Sequence, residues 1–138
     1  MGNELEYSAD KFGRCSVKIR VSSVNPANEE DFRKILHHII YELGKDCLEN
    51  EGTVIGHIKA YLKTSSGFLK ASLVSLKSSV VIEGKITAPV QEAELALAAI
   101  IFGLKDEDVR SYIQNCIKVA QYRFTIVMIP EFPHTHSH

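Results

Sequence analysis

The sequence has no tryptophan, two methionines, four prolines and three cysteines in 138 residues. It also lacks a surplus of either charge, with a net charge of −1 at pH 7. Each shortage removes a class of protein. Cys15, Cys47 and Cys116 are too few and too widely spaced for a disulfide framework, and they form no CxxC metal or redox pair. A net charge near zero gives no global field that selects nucleic acid or an acidic membrane. The longest apolar run, Leu95 to Phe102, is too short to span a bilayer. The opening "MGNELEYSADKF" has no apolar stretch of the kind a secretory signal needs, and Glu6 breaks the myristoylation pattern that Met1 and Gly2 begin. The expectation is a cytoplasmic chain with no membrane partner. The glycines are scattered, so there is no P-loop and no GxGxxG, and HExxH and GxSxG are missing too. No cofactor motif and no catalytic constellation can be named.

What remains suits one packed domain: 45% hydrophobic and 24% charged residues can fill a core. The sequence divides into a polar arm over 1–13, a single α+β domain over 14–130 and a His-containing tail over 131–138. "CSVKIRVSS" alternates, with Val17, Ile19 and Val21 on one side and Lys18 and Arg20 on the other, which predicts a half-buried strand. A helix follows to about Glu49. Asn25 or Asn28 can cap it, and Phe32, Ile35, Leu36, Ile39, Ile40, Leu43 and Cys47 form its apolar stripe.

"VIGHIKAYLKTSSGFLKASLVSL" then reads as a hairpin turning at Thr64-Ser65-Ser66-Gly67, with Val54, Ile58, Ala60 and Leu62 on the inner side. "SSVVIEGKIT" predicts a third strand of this group. "QEAELALAAIIFGL" is apolar on nearly every face and is expected to be a helix, and "KDEDVRSYIQNCIKVA" a second one capped by Asp106. "YRFTIVMI" closes the pattern as a strand. The order is β-α-β-β-β-α-α-β, a single mostly antiparallel sheet with helices on one face. The plan resembles a ferredoxin-like split βαβ with an added strand, in topology only.

Basic charge gathers in the strand-rich part. From Thr53 to Ala88 there are five lysines against Glu83 alone, whereas Met1 to Glu51 holds ten acids and seven bases. If helices cover one sheet face, the other carries Lys18, Arg20, His57, Lys59, Tyr61, Lys63, Phe68 and Lys70, with Lys85 and Arg123 beside them. Cations that neutralise phosphate beside aromatics that stack on bases are the chemistry of single-layer RNA-binding sheets. The "LKASLVSL" strand lacks the glycine-aromatic alternation of an RNP1 motif, and the first strand, read from Cys15, offers no outward aromatic. Solvation is the plain alternative, because outward strand positions are commonly Lys, Thr and Ser.

Two other features carry expectations. A Leu95–Phe102 helix that is apolar all round needs a second cover, which another copy of the chain would supply. His134, His136 and His138 alternate in the tail and suit a transition metal, although no cysteine or nearby acid completes a ligand set. His37 and His38 lie off the apolar stripe of their helix and are expected in solvent, His37 paired with Tyr41. The functional expectation is a small, homo-oligomeric binding or regulatory module whose sheet face takes an anion: RNA, a nucleotide or a phosphorylated metabolite. The alternatives are an oligomeric enzyme using His57 with Lys59 or Tyr61 in an intersubunit pocket, and a structural subunit without a ligand.

Overall fold

The computed structural model describes residues 11–133. The described residues form six strands and two helices in the order β1 (Phe12–Ala27), α1 (Glu29–Leu48), β2 (Val54–Thr64), β3 (Gly67–Leu73), β4 (Val81–Ile86), β5 (Val90–Phe102), α2 (Asp106–Phe124) and β6 (Val127–Glu131). The strands form one antiparallel sheet in the order β4-β3-β2-β5-β1-β6. Each helix therefore links two parallel strands that flank an antiparallel one. α1 joins β1 to β2 around β5, and α2 joins β5 to β6 around β1. β3 and β4 extend one edge.

The expected α+β class, the single antiparallel sheet and the helices on one face are all present. The expected order is not. Leu95–Phe102 is strand, not helix, and it lies in β5, which is hydrogen-bonded on both sides to β1 and β2. Leu95, Leu97, Ala99 and Ile101 point at the helices and are buried, while Ala96, Ala98, Ile100 and Phe102 point the other way. Ala98, Ile100 and Phe102 are only half-exposed on that second face, so the segment is apolar on both sides.

α1 is built as expected. The Asn28 side chain accepts from the Asp31 N–H and the Asp31 carboxylate accepts from the Asn28 N–H, a reciprocal cap with Asn28, not Asn25, at the N-cap. Its stripe, Phe32 to Cys47, is fully buried against the sheet. α2 starts at Asp106, which does not cap it: the Asp108 carboxylate accepts from the Lys105 N–H instead. Asp106 takes the Arg14 backbone N–H at 2.9 Å, a donor on the stretch of β1 that β6 does not reach. One apolar cluster joins both helices to the inner sheet face.

Two further details differ from the expected pattern. Gly56 makes a bulge in β2, so the pairing passes from Ile55 opposite Ile101 to His57 opposite Ile100. The extra residue shifts the alternation: Ile55 is buried and Val54 points outward, 59% exposed. A Cβ at Gly56 would lie 3.0 Å from both the Ile100 carbonyl oxygen and the Phe102 ring, which explains the glycine. At the other end α2 runs through Phe124 and turns at Thr125, so Arg123 belongs to a helix and not to the last strand. Among the described residues no helix is long and apolar enough to cross a membrane.

Candidate functional site

The helices leave the second sheet face uncovered. The register arranges its side chains in rows that cross the strands. Glu83, Lys70, Tyr61, Ala96, Lys18 and Glu131 form one row from β4 to β6. The next row toward the α2 end of β5 is Val81, Ser72, Lys59, Ala98 and Ser16. The row on the opposite side is Lys85, Phe68, Lys63, Glu94, Arg20 and Ile129.

Ala96 and Ala98 on β5 lie at the centre, Ala96 between Lys18 on β1 and Tyr61 on β2, and Ala98 between Ser16 on β1 and Lys59 on β2. The result is a cavity of about 600 Å³ floored by Ala96, Ala98, Ser16 and Ser72 and walled by Lys18, Lys59, Lys70 and Tyr61, with Val81 and the carboxylate of Glu83 closing the β4 side. A second depression of about 440 Å³ lies alongside, between Arg20, Lys63, Glu94 and the Ile129–Glu131 end of β6. Lys18, Tyr61 and Ala96 line both. The Tyr61 and Phe68 rings pack together at 5.6 Å with a 40° tilt, and the Lys70 ammonium sits 5.9 Å above the Phe68 ring.

Lys18, Lys59, Tyr61 and Lys70 therefore meet around one hollow. Arg20 and Lys63 border the adjoining one. Phe68 and Lys85 share the open face without lining either. His57 faces the same side but lies opposite Ile100, one step beyond the hollow, and lines neither depression. Arg123 leaves the group: it is on α2, over the Phe124 ring, on the far side of the sheet. The open face also holds an outward aromatic on the first strand, because β1 begins at Phe12. Phe12 pairs with Phe102 at 5.9 Å, in a row with Val54 at the end of the sheet away from most of the lysines.

The electrostatics of the face are set by what is missing beside its cations. Seven of them point outward (Arg14, Lys18, Arg20, Lys59, Lys63, Lys70 and Lys85) against the carboxylates of Glu83, Glu92, Glu94 and Glu131. Among the described residues the ion pairs are Arg33–Glu29 and Lys34–Glu30, both on α1. Among the described residues, no cation of the open face has a carboxylate at salt-bridge distance. The sequence identified the lysines. It does not show the alanine floor, because a segment apolar on nearly every face reads as a helix.

The remaining titratable groups lie elsewhere. Cys47 and Cys116 are free, buried in the helix layer, and pushed up to about 12, chiefly by burial and next by the Asp46 charge. The Cys116 Sγ lies 3.9 Å from an Asp46 carboxylate oxygen. His37 is exposed and stacked on Tyr41 as expected. His38 is not in solvent: it is half-buried against the edge of Phe124, its Nε2 is buried without a partner among the described residues, and burial, then Arg123, lowers its pKa. α2 packs along the flank of α1 that its own periodicity leaves polar. The metal candidates His134, His136 and His138 lie outside the described residues.

No protein-family model matches the chain, and no curated protein matches it. Among solved structures, Zn(II)-bound YjiA GTPase from E. coli and a Zn(II)-bound triple mutant of YjiA GTPase overlap with it in part. Each is 10% identical, with a TM-score of 0.35, over 77% of this chain and 30% of that one. The chain thus spans under a third of those proteins, and a likeness at that score carries no argument about it.

Proposed function

We propose that the chain is a small binding or regulatory module that takes an anionic ligand on the open, basic face of a ferredoxin-like sheet. The topological part rests on the two interlocked strand-helix-strand units, β1-α1-β2 around β5 and β5-α2-β6 around β1, with β3 and β4 as added edge strands. The functional part rests on one observation: Lys18, Lys59 and Lys70 converge on a hollow of ligand size whose one lining carboxylate, Glu83, stands opposite Lys70, and among the described residues none of the three lysines has a carboxylate at salt-bridge distance. The enzyme reading is weaker, because His57 stands outside that hollow while its supposed helpers Lys59 and Tyr61 line it.

The test is charge removal. Lys59→Ala, Lys63→Ala and Lys70→Ala combined should abolish retention of the chain on a phosphate-bearing column at low salt and leave the urea midpoint unchanged. Unaltered retention ends the proposal.

A second reading keeps self-association but moves it. The expected helix is the central strand, whereas Val54 and Phe12, 59% and 44% exposed, form an apolar row with Phe102 at one end of the open face. A second copy packed face to face covers that row. A light-scattering mass of one chain at micromolar concentration ends this reading without touching the first.

A further inference from the structure

We infer that the ligand of the hollow is a nucleoside monophosphate, its planar base lying on Ala96 and Ala98 and its phosphate held by Lys59 and Lys70. This rests on the anion-binding reading and adds a ligand class to it. A site for inorganic phosphate alone needs convergent donors close to the ion, such as a helix N-terminus or a nest of backbone N–H groups. The hollow has neither. Its floor is methyl groups and two hydroxymethyl groups, a surface that recovers free energy mainly from apolar ligand area. Ala96 and Ala98 are two residues apart on one strand, so their methyls stand about 7 Å apart on the same face. Lys18 on β1 and Tyr61 on β2 are both register partners of Ala96, which puts their backbones about 10 Å apart across β5. The floor is therefore a flat patch one ring system wide.

Rigidity decides between apolar bodies. An acyl chain loses rotamer freedom when it is laid on an open surface, and a fused aromatic ring has almost none to lose. The phosphate end follows from the lysines. Lys59 is opposite Ser72, and Lys70 opposite Tyr61, so the two ammonium groups come from adjacent strands one step apart, on the same side of the floor. Lys18 stands alone across β5.

A continuous RNA strand fits less well. Strand binders offer successive exposed ring faces, and here Tyr61 and Phe68 are packed against each other at 5.6 Å. The other aromatic pair, Phe12 and Phe102, lies at the end of the sheet near Val54. The floor offers hydroxyls of Ser16 and Ser72 but no amide edge to read a base. The expected selectivity is thus for purine over pyrimidine, by ring area, with little discrimination between adenine and guanine.

The experiment is calorimetric titration of the full chain at low salt with AMP, GMP, UMP, ribose 5-phosphate and a twelve-nucleotide poly-uridine RNA. AMP and GMP should bind at least tenfold tighter than ribose 5-phosphate, which carries the same phosphate without a ring. Ala98→Leu, which raises the floor, should weaken AMP at least tenfold and change ribose 5-phosphate less than threefold. Tyr61→Ala serves as a second variant should Ala98→Leu not fold, and should weaken AMP and not ribose 5-phosphate. Lys59→Ala with Lys70→Ala should weaken both ligands. Equal binding of AMP and ribose 5-phosphate overturns the nucleotide inference and leaves the anion reading standing. Binding of the RNA with a steep salt dependence, and none of AMP, overturns it in favour of a nucleic-acid face. No binding of any probe overturns both.

Discussion

Arg33 gives the sharpest test of how the sheet is held. β4 is an edge strand, and an edge strand exposes backbone groups that invite further pairing. Here α1 occupies them. The Arg33 guanidinium donates to the Ile82 carbonyl at 3.2 Å and to the Gly84 carbonyl at 3.1 Å. It also donates to Glu29 at 3.0 Å, and the other Glu29 oxygen accepts the Ile86 N–H at 2.8 Å. Two side chains one turn apart thus fill three outward positions of β4. The Arg33 side chain is 35% exposed, so its two bonds to carbonyls belong near the ordinary net value of about 1 kcal/mol each, not the charged maximum. The exposed i,i+4 pair adds only about 0.3–0.5 kcal/mol.

Arg33→Ala should therefore cost about 2 kcal/mol, a fall of roughly 6 °C in Tm for a chain of this size. Urea unfolding reads the first quantity. Amide exchange reads the place: the β3–β4 amides should exchange faster while those of β1 and β5 keep their protection. Arg33→Lys retains the charge but cannot span two carbonyls, and should recover less than half of the loss. A change below about 0.5 kcal/mol in Arg33→Ala, or full recovery by lysine, would refute the clamp.

Two other outcomes follow from buried groups. The unfolded chain protonates His38 near its ordinary value of 6.5, whereas the folded one resists because burial and Arg123 lower that value. Protons therefore favour the unfolded state as the pH falls below 6.5, and the penalty continues until the folded His38 itself titrates. His38→Leu should flatten the fall in Tm between pH 7.5 and 5.5, and an identical slope in the variant would rule this out. Cys47 and Cys116, pushed up to about 12, expose about one thiolate in ten thousand at pH 8. In a Cys15→Ser background neither should react with a disulfide reagent in the native protein, and both should in denaturant. Rapid native labelling would contradict their burial.

Most of the fold is legible because most elements bury one side only. α1 has an apolar stripe at helical spacing and a polar remainder, and every stripe residue is buried. The β2–β3 hairpin shows period 2 with a glycine where the turn needs φ of +138°. The misreadings occur where an element has company on more than one side. His38 looks solvated from α1 alone, and only the packing of α2 brings Phe124 against it. Val54 looks buried until the Gly56 bulge shifts the alternation, and a bulge leaves no mark in sequence beyond the glycine itself. β5 is the largest case. Leu95, Leu97, Ala99 and Ile101 do alternate, but the intervening residues are apolar as well, which erases the contrast on which period 2 depends.

That erased contrast also accounts for the candidate site. Outward positions on an open sheet ordinarily hold Lys, Glu or Thr, which stand up and level the surface. On β5, Glu92 and Glu94 keep to that habit near one end, and the chain then places Ala96 and Ala98 at the centre. The strands on either side keep their long side chains: Lys18 on β1, and Lys59 and Tyr61 on β2. Short residues between two tall flanks make a trough, and the tall flanks here are mostly cationic. The two alanines that made the segment read as a helix are the residues that leave room for a ligand. A lysine or glutamate at position 98 would restore the strand signal and fill the hollow. Ala98→Glu is thus a severe test: it should abolish nucleotide binding through volume and charge together, yet leave the fold intact, since position 98 faces away from the core.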